Sequence, residues 1–302
     1  MARETHRLEE RYFERMAKSL GDKLQIVEQL PAPTESYSPK VLDIGAGGGE
    51  FSHALTELGF TVTALDASAD AVRHMRTNFP ELHAVQLLAN HSRELGLEAY
   101  DAVICSSILH EVFSYGDDER GPGDYNSLTE ALKAFNSVLK PGGVLVIRDG
   151  VRPRYWNDTA TVTVLDDDDE AVALYLAQCP FANGSIAGST GHLVKLTKDR
   201  GNSYTGDLRS AYEFYMTYNW GVENYHREAH ELYGVLSLDQ YSSLLSYVGF
   251  EVELAKSWVQ LGYAEHLPRK VRLMTAEGFN RWPATNALWV ARKPMPSRKE
   301  GV

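Results

Sequence analysis

Val41-Leu-Asp-Ile-Gly-Ala-Gly-Gly-Gly-Glu50 is the stretch on which the reading of the fold turns. A short apolar run over 41–44 leads into spaced glycines at 45, 47 and 49, and a helical pattern over 51–58 follows. Glycine lets the backbone take positive φ and approach a ligand closely. A helix start behind such a turn offers N–H groups that have no partner within the helix. At the C-terminal edge of a strand this arrangement is a nucleotide-type site. The plain alternative is a tight turn without a ligand. Three glycines and the preceding Asp43 weigh against it.

Strand and helix patterns alternate outward from this turn. Residues 61–65 are β-branched and strand-like, 69–78 helical, and 85–89 and 102–105 short apolar strands. A helix is predicted over 128–139, stopped by Lys140-Pro-Gly-Gly143, with a strand at 144–147. This order predicts an α/β fold, a doubly wound and mostly parallel sheet with helices on both faces. The pattern breaks over 150–235 and resumes with a helix at 238–248 and strands at 250–258 and 287–292. Residues 8–30 carry an apolar stripe of helical period, interrupted at Gly21, and 31–39 read as a loop. The expected organisation is an N-terminal helical lid (1–40), a ligand-binding core (41–149), an inserted cap (150–235) and the C-terminal part of the core (236–302).

The 302 residues are 43% hydrophobic and 24% charged, which excludes a disordered or fibrous chain. The first ten residues carry charges of both signs with no apolar stretch behind them, so neither a secretory signal nor a membrane span is expected. Cys105 and Cys179 read as buried, reduced thiols, in keeping with a cytoplasmic setting. A net charge of −11 demotes nucleic acid as a partner. A surplus of positive charge over 251–302 keeps it as a second choice.

The dinucleotide fingerprint G-x-G-x-x-G fails, because Glu50 stands at its third glycine position. The pattern D-x-G-x-G-x-G fits instead, from Asp43 to Gly49. Here the chain resembles the class I S-adenosylmethionine-dependent methyltransferases, over 41–148 and more loosely over 236–293. The resemblance implies a seven-stranded sheet with the last strand antiparallel. It implies S-adenosylmethionine as cofactor and S-adenosylhomocysteine as product. It places Asp66, at the end of the second strand, on the ribose hydroxyls and Asp43 near the methionine part. Gly45, Ala46, Gly47, Gly49, Ala67 and Ser106 complete the implied contacts. Asn90 and His91 follow the third strand, where the family often has an Asp facing the adenine amino group. Tyr12, with Arg11 and Arg15, is placed to meet the methionine carboxylate as the lid closes.

Methyl transfer is an in-line displacement, so the protein mainly aligns nucleophile, methyl and sulfur in a desolvated cleft. A base is needed only for a protonated nucleophile. The loop Cys105-Ser-Ser-Ile-Leu-His-Glu111 would lie beside the methyl group, which makes His110 and Glu111 the candidate acid–base pair. The bland alternative is an inert, hydrogen-bonded His. An amide-methylating N/D-P-P-Y/F motif is absent here, and neither Cys follows a Pro as a cytosine-C5 nucleophile would.

The ring-rich run over 212–225 reads mostly as core, with Trp220 as a candidate acceptor contact. His226, Arg227 and His230 follow. Four-residue spacing puts the two His on one helical face, where His226 could join the catalysis and His230 the acceptor, and where Glu228 or Glu231 could complete a metal site. A solvated His pair is the commoner outcome, and no metal is expected. Arg227 is a fork for an anionic acceptor group. The run 166–169 of four Asp reads as a solvated loop. The expected function is methyl transfer to a small-molecule acceptor, without a membrane partner, with a homodimer left open. A nucleotide or RNA methyltransferase, a non-catalytic nucleoside binder and an NAD-dependent oxidoreductase are the alternatives.

Overall fold

Strand β1 (Lys40–Ile44) shows why the central sheet has two covered faces. Val41 packs with Phe51 and Leu55, whereas Leu42 and Ile44 pack with Leu109, Leu128 and Phe135 on the other side. Successive side chains of a strand point to opposite faces, so an unbroken apolar run needs a helix layer on each. The structure is a computed structural model and describes residues 20–116, 121–165, 170–183, 186, 194–260 and 262–296.

The chain continues through α2 (Glu50–Glu57), β2 (Thr61–Asp66), α3 (Ala69–Asn78) and β3 (His83–Gln86), after α1 (Leu20–Val27) has preceded β1. Then come β4 (Tyr100–Ser106), α4 (Leu109–Tyr115), α5 (Tyr125–Val138) and β5 (Leu139–Gly150). The C-terminal part of the core adds α10 (Leu238–Tyr247), β9 (Glu251–Trp258) and β12 (Asn286–Arg292). The seven strands lie in the order β3-β2-β1-β4-β5-β12-β9. β12 runs antiparallel to both β5 and β9, as expected of the last strand. Local sequence sets the helix starts: Ser68 and Asp124 cap α3 and α5, and Ser237 with Gln240 forms a capping box on α10.

A second, five-stranded sheet has the order β11-β10-β6-β8-β7 and is antiparallel throughout. β6 (Thr159–Val164), β7 (Leu196–Lys198) and β8 (Ser203–Asp207) come from the inserted stretch. β10 (Val271–Thr275) and β11 (Gly278–Phe279) come from the connection before β12, so this cap is drawn from two separate pieces of chain. The insertion also carries α6 (Ala171–Gln178), α7 (Pro180–Asn183), α8 (Leu208–Tyr218) and α9 (Tyr225–Glu228), and α11 (Tyr263–Lys270) precedes β10.

Two local expectations are corrected. β3 ends at Gln86, and the residues expected to extend it turn into a 3-10 segment at Ala89–Leu95. Lys140-Pro-Gly-Gly143 is not a separate stop but the start of β5, held against the C-terminal strand by Gly142 N–H to Lys293 and Lys293 N–H to Gly143. Gly21 is the second residue of α1, whose described part begins at Leu20. Both cysteines are buried and free, as expected. Among the described residues no helix is long and apolar enough to cross a membrane. The Asp run 166–169, and Tyr12, Arg11 and Arg15, lie outside the described residues.

Candidate active site

A cavity of about 670 Å³ opens at the C-terminal edge of the parallel strands, where the strand order reverses between β1 and β4. Ligands of open α/β sheets bind at this switch point. The cap closes the opposite side of the cavity with Met216 and Trp220 at the end of α8 and with the segment 228–233.

The first wall is the glycine turn. Gly45, Gly47 and Gly49 all have positive φ, at 70°, 57° and 89°. A Cβ on Gly45 would stand 2.6 Å from Ile108 Cγ1, so glycine here lets the ends of β1 and β4 close together. Gly47 N–H donates to Asp66 Oδ2 at 2.9 Å and Ser68 N–H donates to Asp66 Oδ1 at 2.8 Å. These bonds aim the carboxylate along the turn and leave lone pairs for a ligand. Burial raises the Asp66 carboxyl above its ordinary range, against those two bonds. Asp43 does not line the cavity. It sits behind the turn, accepts from Ser52 Oγ at 2.6 Å, and burial raises it as well. Lys23 of α1 and Arg148 of β5 border this end, and burial lowers the Lys23 ammonium.

The second wall is built on Asp149, a residue that the sequence reading missed. Its Oδ2 accepts N–H bonds from Ile108, Leu109 and His110 at 3.1, 2.7 and 3.4 Å, so it caps α4 from across the sheet. Its Oδ1 accepts from Gly150 N–H at 2.7 Å and from His110 Nδ1 at 2.6 Å. The other ring nitrogen of His110, Nε2, lies 3.3 Å from Glu231 Oε2. Tyr115 O–H donates to the remaining Glu231 oxygen at 2.8 Å. Burial opposes charge on His110, but Asp149 and Glu231 outweigh it and hold the imidazole well above its usual range. Burial, reinforced by Glu231, lifts Glu111 well above the carboxylate range and Glu228 to about 7. The Tyr233 hydroxyl donates to Glu228 Oε2, and the Tyr233 ring stacks on His110 with centroids 5.0 Å apart. Ser107, between the two walls, is one of three non-glycine residues with positive φ among those described, at 58°. Strain of this kind gathers at functional sites.

The sequence-predicted residues divide cleanly. Gly45, Gly47, Asp66, Ser106, His110, Glu111 and Trp220 meet at the cavity. Gly49 is displaced from it and instead packs against Met75, and Ala46 packs with the small cluster around Val72 and Met75. Ala67 is exposed, its carbonyl accepting from Gln86. His91 pairs with Glu94, 3.1 Å away, and neither it nor Asn90 lines the cavity. His226, Arg227 and His230 are likewise not among its lining residues, and His226 is exposed with Nδ1 on the Glu223 carbonyl at 3.1 Å. In that segment the buried positions are Tyr225, Glu228, Ala229 and Glu231. The histidines drew attention to the other face of this segment.

Residues 8–255 match the family described as a methyltransferase domain. The chain belongs to this family. It is 35% identical over 130 residues to an uncharacterized methyltransferase from Synechocystis, covering 42% of this chain and 56% of that protein. It is 30% identical over 125 residues to a ubiquinone biosynthesis O-methyltransferase from Xanthomonas axonopodis, covering 40% of this chain and 47% of that one. The chain thus spans about half the length of the curated relatives it matches. A solved SAM-dependent methyltransferase from Methanosarcina mazei is 16% identical and superposes with a TM-score of 0.50, covering 89% of this chain and 97% of the other. That likeness shows a shared fold.

S-adenosylmethionine is the family's cofactor, and the residues present fit it. The Ser106 hydroxyl is buried at the cavity with no hydrogen-bond partner among the described residues, which leaves a donor and acceptor for a ligand. Asp66 supplies a carboxylate suited to vicinal hydroxyls. Lys23 and Arg148 offer cationic partners for a carboxylate.

Proposed function

We propose that this methyltransferase-family chain moves the methyl group of S-adenosylmethionine to a small-molecule acceptor. One observation carries this reading. The glycine turn with Asp66 and the wall of His110, Glu111, Glu228 and Glu231 face a single cavity at the switch point of the sheet. The cofactor supplies an electrophilic methyl group when bound. Asp66 would hold the ribose hydroxyls, the backbone of Gly45 and Gly47 would flank the nucleoside, and Lys23 and Arg148 would face the carboxylate. The cap excludes water and, in this reading, selects the acceptor through Met216, Trp220 and Tyr233. A lid formed by the first forty residues and a cytoplasmic setting complete it.

His110 is the acid–base candidate for an acceptor that arrives protonated. Asp149 fixes its Nδ1, so proton exchange is confined to Nε2, the atom that faces Glu231. A proton leaving the acceptor would pass to this imidazole–carboxylate pair.

One observation favours a second reading, a phosphate-bearing acceptor such as a nucleotide. His266, Arg269 and Lys270 of α11 line the same cavity as His110. Incubation with methyl-labelled S-adenosylmethionine and a panel of phenols, amines, carboxylates, nucleotides and RNA tests both. Label on a non-nucleotide acceptor, lost in His110→Ala with cofactor binding retained, is expected. Label on nucleotides or RNA alone would replace the first reading by the second.

A further inference from the structure

His110, Glu111 and Glu231 each offer a donor atom, and these atoms all lie within 4.8 Å of one another. We propose that this cluster is a binding site for one divalent first-row metal ion, held by His110 Nε2 and the carboxylates of Glu111 and Glu231. It has three supports. The first is the separation of the donors. Two ligands on a tetrahedral ion with bonds of about 2.0–2.1 Å stand about 3.3 Å apart, and His110 Nε2 lies 3.3 Å from Glu231 Oε2. The second is the orientation of the imidazole. Metal-bound His side chains commonly donate the other ring N–H to a carboxylate, which fixes the tautomer and aims the free lone pair at the ion. Asp149 performs this function for His110, through a 2.6 Å contact at Nδ1, and is itself held by four backbone N–H groups. Tyr115 does the same for Glu231.

The third support is independent of the cluster. Glu228 is 1% exposed, lines the same cavity, and its Oε1 has no hydrogen-bond partner among the described residues. Glu228 and Glu111 face Glu231, and the positive groups that act on them are the His110 imidazole and, for Glu228, Arg227 as well, fewer than the carboxylates gathered there. Buried carboxylates without a counter-charge are costly, and a divalent ion is the compact group that satisfies several at once. The donor set, one imidazole with oxygen ligands, suits zinc or manganese better than magnesium, which prefers oxygen and retained water. Binding displaces the proton of Nε2 to solvent, so the imidazole holds either that proton or the ion. On the methyl-transfer reading above, the ion would lower the pKa of an acceptor hydroxyl and take over the proton-removing function of His110. The site itself does not depend on that reading.

The test uses the full chain, freed of metal by a chelator and kept without cofactor or acceptor. Equilibrium dialysis with Mn²⁺, Zn²⁺ or Mg²⁺ alone reads stoichiometry and affinity. Uptake of one Mn²⁺ or Zn²⁺ per chain is expected, at least tenfold tighter than Mg²⁺ and at least tenfold weaker in Glu231→Gln. His226→Ala/His230→Ala should bind like wild type. Pulsed EPR of the Mn²⁺ form needs no variant and should show coupling to one imidazole nitrogen. No uptake, or uptake without that coupling, would overturn the proposal and leave the Nε2 proton as the resident cation. Calorimetric titration with S-adenosylhomocysteine on the same metal-free sample reports separately on the methyltransferase reading.

Discussion

The two walls of the cavity are built by opposite means. The glycine turn draws its groups from one short stretch, residues 43–50, with Asp66 one strand away. Backbone conformation does most of the work, because three positive-φ glycines shape the turn. The facing wall draws on α4, the end of β5 and the segment 228–233, so its charged groups are separated by up to about 120 positions in sequence. Side chains do the work there, and Asp149 ties the pieces together. A site written in backbone geometry is local. One written in buried charge depends on the finished fold, and damage to it should appear as lost stability as well as lost chemistry.

The largest expected effect tests that difference. Asp149→Ala removes the cap of α4 and leaves the buried His110 imidazole without a carboxylate at Nδ1. Breaking a buried pair of this kind costs about 3–5 kcal/mol, and urea unfolding should show a loss of that size. A loss below about 1 kcal/mol, the scale of one ordinary hydrogen bond, would break the account of this wall.

The next effect depends on pH. Glu213 is fully buried behind the acidic wall, and its oxygens accept N–H bonds from Tyr233 and Gly234 at 2.7 and 2.8 Å. Burial pushes it up to about 7, against those bonds and nearby Arg209. An acid raised by folding binds its proton more tightly in the native state, so stability falls as pH rises between the unfolded and folded values. Below about 4.5 the group contributes nothing, and above about 7 its penalty is complete, at about 3 kcal/mol. Wild type should therefore lose stability relative to Glu213→Gln between pH 5 and pH 8. A pH-independent difference would show that the backbone donors and Arg209 fully offset burial.

Asp66→Ala should instead leave urea stability within about 1 kcal/mol of wild type. It should weaken S-adenosylhomocysteine binding about 10- to 100-fold, the worth of one or two charge-assisted bonds. Unfolding of this variant would make the turn as dependent on side chains as its opposite wall. The smallest effect belongs to His226→Ala. Its exposed ring should be worth less than about 0.5 kcal/mol, with methyl transfer unchanged. A tenfold loss of activity would restore it to the site.

What the sequence revealed follows the same division. The D-x-G-x-G-x-G turn, Asp66 and the alternation of apolar strands with helices are local signals, and they carried the mostly parallel central sheet; its antiparallel last strand came from the family resemblance. Thr159-Ala-Thr-Val-Thr-Val164 alternates polar and apolar residues over the whole of β6, but the sequence reading passed over it inside the interrupted stretch 150–235. Its partner β10 was passed over as well, because it comes from a connection over a hundred residues later. Asp149 escaped notice because it ends a buried strand and its partners lie 39–41 residues away. Glu228 and Glu231 were seen only as neighbours of two histidines, since their inward direction depends on how α9 docks. Buried charge is a product of tertiary packing, and no spacing rule within one segment marks it.

Hydrogen exchange of the full chain with and without S-adenosylhomocysteine tests most directly whether the two walls form one site. Protection is predicted together at 43–50, at 66–68 and at 106–111. Binding that protects the glycine turn and leaves 106–111 unchanged, or no binding at all, would contradict the account.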